Sequence, residues 1–244
     1  MDLTAHSLTP DWPAPDTVGA LQTTRTGGSS VSPYDSFNLG SHVKDNPLAV
    51  ARNRMLLSPL LPSEPVWLNQ VHGTVVADAG QAGCLPEADA SVTTHRGAVC
   101  VVMTADCLPL LLCDEQGSVV AAAHAGWRGL CDGVIEATVR AMKVPPQKLL
   151  VWLGPAIGPA SFEVGDEVRA AFVARHAEAA AAFVAGTSGK WYADLYQLAR
   201  LRLHAAGVNR IYGGNLCTYT DSERFYSYRR EGITGRMGSF IWLK

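Results

Sequence analysis

Two side chains able to act as nucleophile, base or metal ligand bracket an apolar run. They are Cys107 and His124, in VMTADCLPLLLCDEQGSVVAAAHAGWRG, residues 102–129. Strands over Leu108–Cys113 and Val119–His124, joined by a turn at Asp114–Gly117, make a hairpin. Pairing symmetric about that turn sets Cys107 directly across from His124, with Cα atoms about 4.5–5.5 Å apart and side chains on one face. Three readings suit such a pair: a thiol packed beside a satisfied core histidine, a cysteine nucleophile with its base, or two ligands of a metal. A catalytic zinc takes three protein ligands and keeps one position open, so the last reading needs another histidine. Of the seven histidines, His72 in WLNQVHGTVV is best placed, because it ends an apolar strand and Gly73 permits a tight bend after it. A fourth Cys or His within coordination distance would instead make the metal structural, in a binding protein.

These residues need a frame. A strand is expected over Gly19–Thr24, followed by the polar turn RTGGSS. Asn46 caps a helix starting at Pro47. Strands are expected at Trp67–Val71 and Thr74–Ala77 around His72-Gly73, then at Ala98–Met103 and in the two arms of the hairpin. The spacing predicts a helix over Gly129–Met142, stopped by Pro145-Pro146, and a strand at Leu149–Leu153. Further helices are expected over Asp166–His176 and Ala193–Ala205, the second ended by Gly207. Arg210–Tyr212 and Gly238–Leu243 are closing strands. The elements follow no regular βαβ rhythm and the hairpin demands antiparallel pairing, so the fold class is α+β with mixed sheets, in one domain over residues 1–244.

Composition bounds the function. The chain has 244 residues, 48% hydrophobic and 17% charged, with a formal net charge of −2, which suits a globular protein and gives no footprint for nucleic acid or an anionic membrane. The start, MDLTAHSLTPDWPAP, is no secretory leader, and no apolar stretch reaches the roughly 20 residues of a membrane span. A cytoplasmic protein is expected. The six cysteines, Cys84, Cys100, Cys107, Cys113, Cys131 and Cys217, contain no CxxC pair; in a reducing compartment most are small core residues rather than disulfide partners.

The segments NQVHG, ADASVT, MTADCLPLLL, HAGWRG, GPAIGP, FEVG, CTY and FYSYRREGITGRMGSFIWL resemble the bacterial laccase-domain, or multicopper polyphenol oxidoreductase, family, whose members were later described as purine nucleoside phosphorylases. The resemblance runs from about Thr24 to Lys244. It implies a four-layer α/β/β/α fold with mixed sheets and a metal held by His72, Cys107 and His124. It also implies phosphorolysis of adenosine, inosine and 5′-methylthioadenosine, with deamination of adenosine. A multicopper oxidase gathers many histidines, often in His-X-His pairs; this chain has seven histidines and no such pair. One His/Cys/His site with an open position suits zinc, with copper, and hence a copper-dependent phenol oxidase, as the alternative.

Zinc gives deamination a rationale, since a water it activates can attack C6 of adenine. Phosphorolysis needs in addition an anion site beneath the ribose. Arg25, in the glycine turn, and Arg128, opening a helix, are the candidates for phosphate; Arg229 and Arg230 rank below them. Packing of Arg128 on Trp127 stands as the alternative. Asn38 in FNLG is a candidate for ribose or base. Asp106 can orient a ligand imidazole or accept a proton, provided the backbone bends to bring it in. Glu163 and Glu167 are further acid/base candidates.

Overall fold

The computed structural model describes residues 6–81 and 85–244; Cys84 lies outside them. Thirteen strands and six α-helices are described. In chain order they begin β1 (Ser7–Leu8), β2 (Val18–Thr23), α1 (Pro47–Leu57), β3 (Val76–Asp78), β4 (Ala90–Thr93), β5 (Val99–Thr104), β6 (Leu108–Asp114) and β7 (Val120–Ala125). Then come α2 (Trp127–Asp132), α3 (Val134–Ala141), β8 (Leu149–Leu153), β9 (Glu163–Val164) and α4 (Asp166–Arg175). The chain finishes with β10 (Phe183–Ala185), β11 (Trp191–Ala193), α5 (Leu195–Ala205), β12 (Arg210–Gly213), α6 (Tyr228–Glu231) and β13 (Met237–Leu243).

Two sheets face each other. One has the order β12-β8-β6-β7-β4-β3, with parallel pairing at both edges and antiparallel pairing between. The other, β1-β2-β13-β5, is antiparallel throughout. Cys100, Val102 and Ile241 from the second sheet meet Leu111, Cys113, Val120, Ala122 and Trp152 from the first. The opposite face of the larger sheet, through Leu110, Leu112, Ala121 and Ala123, packs on Ile135, Val139, Leu198 and Leu203 of α3 and α5. Leu57 of α1 joins Val99, Val101 and Phe240 on the far side of the smaller sheet. The result is the four-layer, mixed-sheet α+β arrangement. Because β6 and β7 are covered on both faces, their sequences read as continuous apolar runs rather than alternating ones. No helix among the described residues is long and apolar enough to cross a membrane.

The boundaries expected from sequence hold at α1, where Asn46 accepts from the Leu48 N–H, at β8, and nearly so at α4 and α5. Three expectations need correction. The helix over Gly129–Met142 begins earlier, at Trp127, and is cut by Gly133, whose left-handed φ of 109° ends α2 and starts α3. Trp67–Val71 is not a strand; it makes one isolated bridge, at Asn69, with another at Val66 just before it. The hairpin turn is Glu115–Ser118, one residue later than expected. Asp114 stays in the ladder, and its carboxylate accepts from the Ser118 and Val119 N–H groups and the Ser118 hydroxyl. Pro109, not Cys107, therefore stands across from His124. Moving the turn by one residue shifts the register by two, which keeps Cys107 and His124 on the same face.

Candidate metal centre and cavity

Cys107 sits where the chain passes from one sheet to the other. β5 ends at Thr104 and β6 begins at Leu108, and the connection turns on Asp106, whose φ is 89°. Cys107 thus lies at the seam between the sheets, and His124, near the end of β7, enters the same seam. His72 comes from the loop before β3, itself at positive φ, 61°. That conformation is uncommon for a residue with a Cβ and is held from one point. The carboxylate of buried Asp89 accepts from the backbone N–H of Val71, His72 and Gly73 at 3.2, 2.9 and 2.6 Å.

The same carboxylate binds His124 Nδ1 at 2.8 Å. With Nδ1 so engaged, the other ring nitrogen of His124 is the one turned to Cys107, where a metal ligand is needed. The His72 and His124 rings stand edge to face with centroids 4.7 Å apart, and His72 Nε2 lies 3.7 Å from Cys107 Sγ. The three donor atoms lie within 4.8 Å of one another, so the group can hold a metal ion. Tetrahedral zinc, with bonds of about 2.0–2.3 Å, spaces its ligand atoms by roughly 3.3–3.6 Å. The donor set and the carboxylate behind one imidazole fit such an ion. Among the described residues the group has these three members.

Charge is already arranged for this task. Burial pushes the Cys107 thiol up, but His124, by charge and hydrogen bond, and then His72 bring it down to about 6. Burial disfavours the His124 imidazolium, yet the Cys107 thiolate and the Asp89 carboxylate raise it to about 9. For Asp89 itself, burial is outweighed by the bonds from His124 and the backbone, and its pKa falls below the ordinary carboxylate value. Cys100 and Cys113, buried without such partners, are pushed up to about 12 and, with Cys131, are core residues.

The triad floors a cleft of about 470 Å³ whose walls include Met103, Ile157, Phe162, Tyr228, Asp106, His42, Arg229 and Arg236. That size suits a small-molecule ligand.

Among the residues singled out from sequence, His72, Cys107 and His124 come together; several others do not join them. Asp106 lines the cleft, and the backbone bend it needs is present. Its carboxylate, however, accepts from the Thr218 hydroxyl at 2.6 Å and the Arg229 N–H at 2.7 Å, while orientation of an imidazole falls to Asp89. Arg25 lies outside the cleft, paired with Glu231 at 2.6 Å and stacked on Tyr226. Exposed Arg128 lies over the Trp127 ring, 4.6 Å from its centroid, and is absent from the cleft wall. Asn38 is fully buried and binds the protein itself: its amide oxygen accepts from the Gly40 and Arg236 N–H groups. Arg230 donates to the Thr218, Tyr219 and Phe225 carbonyls. Neither Glu163 nor Glu167 reaches the cleft wall; Arg229 does. Spacing alone misses Asp89, His42 and Arg236. For Asp89 a signal exists, an acid between Ala88 and Ala90 entering the strand ASVT, where only a well-bonded carboxylate is tolerated.

A family model described as multi-copper polyphenol oxidoreductase laccase matches residues 19–244. A protein of Pseudomonas aeruginosa named purine nucleoside phosphorylase is 58% identical over 238 residues, which cover 97% of this chain and 98% of the relative. An Escherichia coli protein of the same name is 56% identical over 239 residues, covering 97% and 98%. The crystal structure of a Neisseria meningitidis protein superposes with a TM-score of 0.95 at 54% identity, over 98% of this chain and 99% of that one.

Proposed function

The chain belongs to the family described as multi-copper polyphenol oxidoreductase laccase, and on that premise we propose that it is a purine nucleoside phosphorylase with one zinc held by His72, Cys107 and His124. Adenosine, inosine and 5′-methylthioadenosine are the proposed substrates, and adenosine deamination a second activity of the same site. The observation that carries the reading is the convergence of three donor atoms, one backed by Asp89, at the floor of a cleft of nucleoside size. Two relatives that share more than half their residues with this chain bear the phosphorylase name.

When bound, zinc supplies Lewis acidity at an open position, for polarising a purine or for activating water. The chain's own residues do the rest. Met103, Ile157 and Phe162 offer an apolar wall to the purine. The Asp89 carboxylate keeps the Nδ1 proton on His124 and turns the opposite nitrogen to the metal position. Asp106, fixed by Thr218 and the Arg229 N–H, presents a held carboxylate at the wall, where it can accept a hydrogen bond from a ribose hydroxyl. The phenol-oxidase reading asks for a cluster of coppers and hence many ligands, whereas a single three-donor group is found among the described residues.

Metal analysis joined to product detection tests this. Purified protein should carry about one zinc per chain, as a single three-ligand site requires, and release free purine from adenosine or inosine only when phosphate is present. Cys107→Ala, which removes the one anionic ligand, should lose most of the zinc and the turnover together. Phenol oxidation that survives removal of copper, or nucleoside turnover that requires copper, would overturn the reading.

A further inference from the structure

Phosphorolysis requires a residue that holds phosphate, and the arginines suggested by sequence are engaged elsewhere: Arg25 by Glu231, Arg128 by Trp127 outside the cleft. Among the described residues two arginines line the cleft, Arg229 and Arg236, and Arg229 is exposed with Nη1 on the Glu163 carbonyl. Arg236, just before β13, lines the cleft together with His42, His124 and Cys107. We propose that Arg236 is the phosphate-binding residue of this site, with His42 as its neighbour on the same wall. The proposal rests on the phosphorylase reading and names the anion subsite within it.

Four features support it. Arg236 is half-buried, and no carboxylate lies within ion-pair distance of it among the described residues. The negative charges that act on it, Cys107 and Asp106, do so without an ion-pair contact, so a partly desolvated guanidinium keeps room for an anionic ligand in direct contact. Its position is fixed in advance: the Arg236 N–H donates to Asn38 Oδ1 at 2.8 Å, and Nη1 donates to the Thr234 and Gly235 carbonyls at 3.0 and 2.9 Å. Its stem crosses Gly40 so closely that a Cβ there would lie 2.8 Å from Arg236 Cγ. Only Nη1 is used in these contacts, so Nε and Nη2 remain, the side-on edge of the guanidinium that takes two oxygens of a phosphate.

The nearby acid makes no ion pair with that edge. Asp106 is held by the Thr218 hydroxyl and the Arg229 N–H, one on each oxygen, and has no hydrogen bond to Arg236. Arg229 itself stands exposed at the rim, with Nη1 on the Glu163 carbonyl. This arrangement gives buried Asn38 a role different from the one its sequence context suggests: it is a positioning residue for Arg236.

Zinc-loaded wild type, Arg236→Met and Arg236→Lys provide the test. Methionine keeps an unbranched stem over Gly40 and removes the charge; lysine keeps the charge and loses the fork. Two quantities are read: the KM for phosphate with inosine as co-substrate, and the affinity for inorganic phosphate alone by phosphorus NMR titration. Arg236→Met should raise the phosphate KM and weaken phosphate binding by about tenfold or more, the scale of a lost charge-assisted fork. The inosine KM and the zinc content should stay near wild type. Arg236→Lys should lose several-fold, and it carries the test alone if the methionine variant does not fold.

Wild-type phosphate affinity in both variants overturns the proposal. So does an Arg236-dependent preference for AMP over adenosine with no such dependence for inorganic phosphate, because the arginine then serves a nucleotide's 5′-phosphate. Arg236-dependent phosphate binding in a protein that cleaves no nucleoside sinks the phosphorylase reading while the anion site stands. Phosphate-dependent cleavage that ignores Arg236 does the reverse.

Discussion

Asp89→Asn probes the point on which the metal centre hangs. The carboxylate accepts four hydrogen bonds. Oδ1 takes His124 Nδ1 and the His72 N–H, and Oδ2 takes the Val71 and Gly73 N–H groups. An asparagine keeps one oxygen. With the amide nitrogen in place of Oδ2, two backbone donors face a donor; in place of Oδ1, the His72 N–H and His124 Nδ1 do. The first orientation leaves two partly buried backbone donors without an acceptor, and the second leaves the His72 N–H, at about 1 kcal/mol each, the low end for groups that keep some access to water, so about 1–2 kcal/mol of stability is lost. The second orientation also favours the tautomer with the proton on His124 Nε2, the atom the metal needs. Loss of such a partner typically weakens metal binding by about 10–100-fold. The assays are denaturant unfolding of the metal-free protein and competition for zinc with a chelator. Asp114→Asn is the control: Asp114 also accepts two backbone N–H groups and a hydroxyl, at the turn end of the same hairpin. It should lose stability and keep its zinc affinity. A wild-type unfolding midpoint and wild-type zinc affinity in Asp89→Asn would refute the reasoning.

Three further outcomes are expected. In protein stripped of metal, the Cys107 thiolate should be present above about pH 6 and protonate as the pH falls through that value, because His124 and His72 depress the thiol. The ultraviolet thiolate signal, taken as a difference from Cys107→Ser, should show this step; a step near pH 9 would contradict the His–Cys coupling. Gly126→Ala should lower zinc affinity with little change in helix content, since its Cβ would lie 2.5 Å from His72 Cδ2 and 3.1 Å from Cys107 Sγ; chelator competition equal to wild type would show that the ligands simply move aside. Arg128→Ala should leave the phosphate KM within about twofold, as befits an exposed side chain outside the cleft; a tenfold rise would return Arg128 to the anion site.

Sequence alone singled out the three donor residues that converge, His72, Cys107 and His124. The pair Cys107 and His124 follows from hairpin parity, which survives a misplaced turn because the ladder repeats every two residues; family resemblance and Gly73 brought in His72. The cap at Asn46, the strand at Leu149–Leu153 and the cut at Pro145-Pro146 are local signals and were legible for that reason. Gly133 was equally local, yet a single glycine within an apolar helical pattern does not announce a break. Tertiary structure decided what surrounds the triad. Asp89 acts on His72 and His124 across segments distant in sequence. Arg236 is placed at the cleft wall by contacts with Asn38, 198 residues away in sequence, and with Gly40. Arg25, Arg128 and Asp106 had the right chemistry for the roles first given to them. Which partner each charge finds is a property of three-dimensional neighbours, and spacing along the chain carries little of that information.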